Sequence, residues 1–276
     1  MKLHFVKINP VENMTIFVLD QLPRTDHVKI SNRLMDYSNL HAEQVGFIES
    51  SKIHNGLTRL QMMGGEFCGN ATRSLAAFMV HSQYPEVENI GNKFMVSLEV
   101  SGMDDIISCE VEPLDQPNLY MSKIKMPTPL LIKEVIIDYS GNKVKTIRVD
   151  LPGITHFIVD RDKVKDKDKY YETVKSIMSK ETYDAFGIMY YDYSKNFMEP
   201  LVYVKTTDSL FWERSCASGT CALGSSLSFT GKKSIDKDIF QPGGQLRVSV
   251  GYENHNISSL YLNGKVEVVS EGIVYI

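Results

Sequence analysis

Two short segments carry the residues best equipped for chemistry. Residues 66–76 read EFCGNATRSLA and residues 213–224 read ERSCASGTCALG. Each has a carboxylate upstream (Glu66, Glu213), a cysteine (Cys68, Cys216), then small or capping residues and an apolar helical stretch. Small and capping residues of this kind mark a helix N-terminus. A thiol placed there feels the positive end of the helix dipole, which lowers its pKa. The small residues that follow leave backbone N–H groups approachable by a carboxylate or phosphate. Each segment therefore offers a thiol and an anion cradle. If the two are related by a pseudo-twofold, both helix ends point at one shared crevice and two thiols flank one bound anion. Inverting an amino-acid α-carbon needs a proton taken from one face and another delivered to the opposite face. Two acid/base groups that can exchange roles do this directly. Helix N-termini gripping the carboxylate stabilise the developing carbanion.

The elements that must position these thiols are legible as a weak repeat. With Cys68 aligned on Cys216, an offset of 148 (216 − 68), Thr72 meets Thr220 and Leu75 meets Leu223. Earlier in each half, NPVENMTIFVLD ends at Asp20 and LPGITHFIVD ends at Asp160, an offset of 140 (160 − 20). Two similar offsets in the same order predict a duplicated domain. The expected division is an N-terminal domain over 1–128 carrying Cys68, joined by the C-terminal strand 268–276, and a second domain over 129–267 carrying Cys216. The boundary falls near the MPTP turn at Met126–Pro129.

Strand-like segments outnumber helical ones. Ile16–Leu19, Lys93–Val100, Asp105–Val111, Asn118–Lys125, Thr146–Val149, Phe157–Val159, Leu201–Lys205, Leu246–Val250, Leu260–Leu262 and Lys265–Val269 are rich in β-branched and aromatic residues. Helices are expected over Val28–Tyr37, Asn70–His81, Lys169–Lys180 and Ser218–Ser228. The fold class is α+β.

Composition narrows the function classes. The chain has 276 residues, 43% of them hydrophobic and 23% charged, as in an ordinary globular protein. Lys and Arg number 30 against 34 Asp and Glu, a net charge of -4 with no basic stripe, so nucleic acid is not an expected partner. No apolar run reaches the ~20 residues of a membrane helix, and the N-terminus lacks the order of a signal peptide. A cytoplasmic protein is expected, in which the 4 cysteines are thiols. Cys109 and Cys221 read as structural, Cys221 because it sits about 140° around the helix from Cys216. The 7 histidines are scattered, so no metal site is expected. His156 reads equally as a packed structural residue. The glycine pairs at Met63–Gly65 and Pro242–Gly244 read as turns, and Arg161–Lys169 as a solvated loop leading into a helix.

The motifs also resemble a known family. GGEFCGNATRS (Gly64–Ser74) and WERSCASGT (Trp212–Thr220) are similar to the two catalytic motifs of diaminopimelate epimerases. NPVENMTIFV (Asn9–Val18) and AEQVGF (Ala42–Phe47) resemble that family's substrate segments and place Asn13 and Gln44 in the pocket. The resemblance covers nearly the whole chain. It implies two pseudo-symmetric domains, each a curved or barrel-like sheet around a central helix. It also implies no PLP or other cofactor, no metal, an amino-acid substrate and a homodimer. Within the superfamily the chain is most similar to histidine racemases of staphylopine-type metallophore biosynthesis, through EQVGFIES (Glu43–Ser50), PLVYV (Pro200–Val204), SLFWE (Ser209–Glu213) and QPGG (Gln241–Gly244). That likeness makes Cys68 and Cys216 the acid/base pair. It makes Glu213 the partner of the substrate ammonium and Glu43 the substrate-selecting residue. Gly69, Asn70, Ala217 and Ser218 supply amides to the α-carboxylate.

The chain departs from the epimerase pattern in two places. Only Ser215 separates Arg214 from Cys216, and Gly153-Ile154-Thr155-His156 stands where epimerases carry Gly-Asn-Pro-His. Arg214 points the other way, because it matches the epimerase arginine that pairs with a distal carboxylate. Diaminopimelate, or another amino acid, is the alternative substrate. A binding module with idle cysteines, and isomerases of this fold that use a carboxylate base, are the alternatives of a different class.

Overall fold

The computed structural model describes every residue except 55, 206 and 207. Its elements run β1 (Lys2–Asn9), β2 (Thr15–Val18), α1 (Arg24–Met35), β3 (Gln44–Ser50), β4 (Thr58–Met62), α2 (Gly69–His81), β5 (Glu88–Ile90), β6 (Lys93–Val100), β7 (Ile107–Pro113) and β8 (Leu119–Lys125). They continue as β9 (Leu131–Tyr139), β10 (Asn142–Leu151), β11 (Ile154–Asp160), α3 (Lys167–Met178), β12 (Ala185–Asp192), β13 (Phe197–Val204) and β14 (Ser209–Trp212). The last are α4 (Ala217–Gly231), β15 (Ile235–Gln241), β16 (Gly244–Glu253) and β17 (Asn256–Tyr275). The chain divides into two compact units, Met1–Lys125 with Asn263–Ile276, and Met126–Leu262.

Each unit repeats the same order of pairings. In the first, β1–β2 is antiparallel, β2–β3 parallel, β3–β4 antiparallel, β4–β6 parallel and β6–β7 antiparallel. In the second, β10–β11, β11–β12, β12–β13, β13–β15 and β15–β16 follow in the same senses. Parallel neighbours need a crossover, and helices supply it: α1 and α2 in one unit, α3 and α4 in the other. The first strand of each row gains an outer antiparallel neighbour, β17 on β1 and β9 on β10. The fold is α+β with a helix at the centre of each curved sheet.

Burial explains the two kinds of helix. Gly69 through Met79 of α2 are all buried, and α4 is buried over most of its length, so both are enclosed. The outer helices are amphipathic. Ile30 and Leu34 of α1 pack on Leu3, Phe5, Val45 and Phe47. Tyr170, Tyr171 and Val174 of α3 pack on Val159, Phe186 and Tyr190. Strands β3 and β12 lie between an outer and a central helix, and both carry a glycine where space is shortest. A Cβ on Gly46 would come 3.0 Å from the Phe17 ring, and one on Gly187 would come 2.4 Å from the His156 ring. Phe17 and His156 are the register partners of these glycines, so they hold equivalent places in the two units.

The four expected helices are present, each within four residues of the expected start. Leu260–Leu262 and Lys265–Val269 are one continuous strand, not two. Asn263-Gly264 does not turn the chain back but carries it extended from the second unit into the first. The Arg161–Lys169 segment holds a 3-10 turn at Arg161–Lys163 before Asp166 caps α3.

Candidate active site

Both cysteines are N-cap residues, Cys68 of α2 and Cys216 of α4. Serine, threonine, asparagine and aspartate are usual there because a side-chain oxygen can accept an amide of the first turn. Here sulfur does it. Ala71 N donates to Cys68 Sγ at 3.4 Å and Gly219 N donates to Cys216 Sγ at 3.3 Å. A threonine four residues on closes each cap from the other side. Thr72 Oγ1 donates to Cys68 O at 2.8 Å, and Thr220 Oγ1 donates to Cys216 O at 2.6 Å. The amides of Gly69 and Asn70, and of Ala217 and Ser218, precede the first helical bonds, Thr72 N to Cys68 O and Thr220 N to Cys216 O. These positions form the electropositive mouth of each helix.

Around Cys68 the first unit assembles a chain of side-chain amides. Cys68 Sγ donates to Gln44 Oε1 at 3.1 Å. Gln44 Nε2 donates to Asn13 Oδ1 at 2.9 Å and to Thr15 Oγ1 at 2.8 Å. Asn70 Nδ2 reaches the same Asn13 oxygen at 3.0 Å, and Asn13 Nδ2 donates to Glu43 Oε2 at 2.5 Å. Asn13, Glu43, Gln44, Cys68, Gly69 and Asn70 thus share one locality, drawn from the loop before β2, the start of β3 and the start of α2.

Cys216 sits in different surroundings. It is buried, at 4% exposure, with Glu213, Ser218 and Gln241 beside it. Burial pushes its thiol well above the ordinary range, and the charge and hydrogen bond of the Glu213 carboxylate push the same way. Ser218 and the Gly219 amide oppose the rise. Ser218 Oγ is 3.6 Å from the sulfur and 2.9 Å from His156 Nε2. His156 is fully buried, which drives it down to about 3 and keeps the ring neutral. Gln241 Oε1 accepts from Cys216 N at 2.8 Å, and its Nε2 donates to Thr220 Oγ1 at 2.9 Å.

The two upstream carboxylates do not play matching parts. Glu213 bonds the Cys216 thiol, whereas Glu66 accepts the backbone amides of Gly64 and of its own residue. The cause is spacing: Glu213 lies three residues before its cysteine and Glu66 two, so the side chains leave the chain in different directions. Cys68 finds the Gln44 amide instead. Arg214 Nη2 donates to Pro242 O at 3.2 Å, and Arg214 O accepts from Gly243 N at 2.7 Å. A cavity of about 200 Å³ opens here, lined by Glu199, Pro200, Trp212, Glu213, Arg214 and Pro242.

Sequence reasoning passed over Gln241, the threonine pair and Arg73. The Thr72–Thr220 match was visible in the repeat, and Gln241 opens the QPGG motif. Arg73 gave no signal, because arginine inside an apolar helix reads as a surface residue. Cys109 and Cys221 are fully buried in apolar surroundings that raise both thiols, Cys109 to about 12. That is the inert environment of structural cysteines.

Comparison with known proteins identifies the family. The family model described as the histidine racemase CntK N-terminal domain matches residues 2–275. A histidine racemase of Fusobacterium nucleatum is 38% identical over 281 residues, covering 99% of this chain and 97% of the relative. A histidine racemase of Staphylococcus aureus is 28% identical, covering 99% and 98%. The crystal structure of a hydroxyproline epimerase from Agrobacterium vitis shares the fold, with a TM-score of 0.70 at 9% identity over 99% of this chain and 92% of that one. A full-length match of this strength leaves one assignment: the chain belongs to the histidine racemase family.

Proposed function

We propose that this racemase interconverts L- and D-histidine by a two-thiol proton transfer in which Cys68 and Cys216 act on the two faces of one α-carbon. The observation that carries the reading is the twin cap. In each unit one thiol stands at a helix mouth, holds an N–H from the first turn on its sulfur, and is braced by a threonine at the same spacing. The substrate α-carboxylate takes the amides of Gly69, Asn70, Ala217 and Ser218, and Glu213 meets the ammonium. The N–H bond to each sulfur favours thiolate, and burial favours thiol. One sulfur must enter the cycle as thiolate, its proton released to solvent or to the Glu213 carboxylate beside Cys216, and it takes the α-proton while the other, still a thiol, returns one. Helix mouths stabilise the enolate-like charge that develops on the carboxylate. The chemistry needs no PLP and no metal.

Histidine is favoured by Glu43. Its carboxylate is held by Asn13 at 2.5 Å and can accept an imidazole N–H, more strongly from a protonated ring. A carboxylate there repels a distal acid. Arg214, the feature that suits a distal acid, has its guanidinium on the Pro242 carbonyl. The family resemblance further supports a cytoplasmic homodimer that supplies D-histidine for a metallophore.

The test is L-histidine incubated with pure protein in deuterated water, without added PLP or metal, followed by chiral chromatography and mass spectrometry. Early D-histidine should carry deuterium at Cα while remaining L-histidine carries little, since the base that removes the proton cannot label the starting face. Equal early labelling of both enantiomers would contradict two bases. Epimerisation of LL-diaminopimelate with no action on histidine would overturn the substrate and leave the two-thiol mechanism standing.

A further inference from the structure

Gln241, the last residue of β15, is 3% exposed and opens the turn that joins β15 to β16. Its side-chain amide reaches across to the start of α4. Oε1 accepts from Cys216 N at 2.8 Å, and Nε2 donates to Thr220 Oγ1 at 2.9 Å. Thr220 Oγ1 in turn donates to Cys216 O at 2.6 Å. One amide therefore holds both peptide groups that flank the Cys216 Cα, the N–H directly and the carbonyl through a hydroxyl. The arrangement has a single polarity. A backbone N–H only donates, so Gln241 must offer it Oε1. A carbonyl only accepts, so the one hydroxyl hydrogen of Thr220 goes to Cys216 O and lone pairs are left for Gln241 Nε2. An amide supplies one acceptor and one donor in these places. An apolar side chain supplies neither, and a carboxylate supplies two acceptors.

Fixing both peptide groups fixes the two backbone angles between them. Cys216 sits at φ -111° and ψ 110°, the extended geometry of an N-cap. These angles aim its Cβ, and with it the sulfur, at the first turn of α4, where Gly219 N donates to Sγ at 3.3 Å. Room there is short. A Cβ on Gly219 would lie 3.0 Å from Cys216 Sγ and 2.3 Å from Met189 Sδ. The turn that follows Gln241 also holds the approach to the cysteine. Gly243 N donates to Arg214 O at 2.7 Å, and Arg214 Nη2 donates to Pro242 O at 3.2 Å.

We infer that Gln241 is a positioning residue for the proton transfer: by tying both peptide groups of Cys216 it keeps the thiol at the one place on the α4 mouth from which it reaches the substrate α-carbon. The inference rests on the reading of Cys216 as a proton carrier. Proton transfer has a short reach, and a displacement of about 1 Å costs on the order of 10²-fold in rate. Loss of the Gln241 amide frees the backbone of Cys216 at both ends and lets the sulfur drift by that much.

The experiment compares histidine racemisation by wild type, Gln241→Met and Gln241→Glu across pH 5.5 to 8.5, each rate divided by the wild-type rate at the same pH. Groups common to all three proteins, Glu213 beside Cys216 among them, largely cancel in that ratio. Gln241→Met keeps the shape and loses both bonds, so its ratio should be about 0.01–0.1 at every pH. Gln241→Glu copies the amide while its carboxyl is protonated, one oxygen accepting from Cys216 N and the O–H donating to Thr220. Burial raises the pKa of that carboxyl. Its ratio should be near one at the acid end and fall about tenfold as the carboxyl ionises and the bond to Thr220 is lost. The charge of an ionised carboxylate also slows a thiolate, but charge alone leaves Gln241→Met at the wild-type rate. Half or more of the wild-type rate in Gln241→Met, or a Gln241→Glu ratio that does not fall with pH, overturns the inference. Should the Met variant not fold, Thr220→Val takes its place, since it keeps the shape and breaks the link to the carbonyl. A loss of about fivefold or more is expected there, restored in Thr220→Ser, and undiminished turnover refutes the inference. Hydrogen exchange read by NMR needs no turnover. The Cys216 amide should lose about tenfold in protection in Gln241→Met, the weight of one hydrogen bond, while the Leu223 amide in the middle of α4 keeps its own. Equal losses at the two amides would refute a local grip. Retained racemisation in Cys216→Ala would remove the proposed function and leave the exchange result standing.

Discussion

Cys68 and Cys216 occupy the same helix position and meet different acceptors, a neutral amide for one and a carboxylate for the other. The proposed mechanism makes them equally indispensable all the same. Cys68→Ala and Cys216→Ala should each lower racemisation about 10²- to 10⁴-fold, the usual weight of one acid/base group. Each should cost only about 1 kcal/mol in stability for the lost cap. Cys109→Ala and Cys221→Ala should keep full turnover and lose about 1 kcal/mol. Steady-state rates beside urea midpoints separate the two classes, and full activity in either of the first pair defeats the mechanism. His156 gives a second residue-scale expectation. Its folded value of about 3 lies below the reference 6.5, so below pH 6.5 the unfolded chain takes up a proton that the folded protein refuses. Stability should fall as pH drops from 6.5 toward 3, by about 1.4 kcal/mol per unit from this group. His156→Phe copies the Phe17 arrangement of the first unit and should shrink the stability difference between pH 7 and pH 5 by about 2 kcal/mol. An unchanged difference, measured by denaturant titration, would show that the ring is not the source. The two capping cysteines were legible in the sequence because cysteine followed by small residues and an apolar helical stretch occurs twice. Arg73 was not, because its acceptors on Pro10 and Gly264 lie far from it along the chain.

At the scale of elements, α4 shows how far packing overrides propensity. Its sequence ASGTCALGSSLSFTG is rich in serine and glycine, which are mediocre or poor helix formers. Enclosure explains it, since small residues let the strands close around the helix. A Cβ on Gly224 would lie 2.7 and 2.9 Å from the two Val248 methyls. Gly224→Ala should therefore cost about 1–3 kcal/mol by overpacking, against the gain in helix propensity. Gly231→Ala, at the helix end with nothing nearer than Lys233 side-chain atoms at 3.7 Å, should be neutral or slightly stabilising. Equal urea midpoints for the two variants would contradict the enclosed packing. The same enclosure hid strands from sequence reasoning. In β12 every residue after Ala185 is buried, and in β3 Val45 through Ile48 are buried. A strand covered on both faces loses the alternation that identifies a half-exposed one. The helices were easier, because caps and amphipathic faces are local signals.

For the whole molecule, the two offsets near 140 residues stand beside a repeated order of strand pairings, and the strand expected over 268–276 to join the first domain lies within β17. β17 starts in the second unit and ends paired with β1 in the first, Lys2 opposite Tyr275. Arg73 clasps the crossing point through the carbonyls of Gly264 and Lys265. Cutting the chain after Leu262 should strip β1 of its outer neighbour and leave Arg73 without two of its acceptors, a buried cation short of partners. Limited proteolysis of that truncated chain should degrade the first unit well before the second. Equal resistance of both units would show that the strand is dispensable.

The pairing of the first strand with the last also dictates an order of events during synthesis. A ribosome releases the chain from the N-terminus, and domains generally fold as units while they emerge. Here the unit whose residues appear earlier is the one that must wait, because β1 has no outer neighbour until β17 has left the exit tunnel. The second unit, complete at Leu262, can settle earlier. The nascent first unit therefore waits with an open strand edge, the kind of surface that holding chaperones cover, until the second unit and β17 have been made.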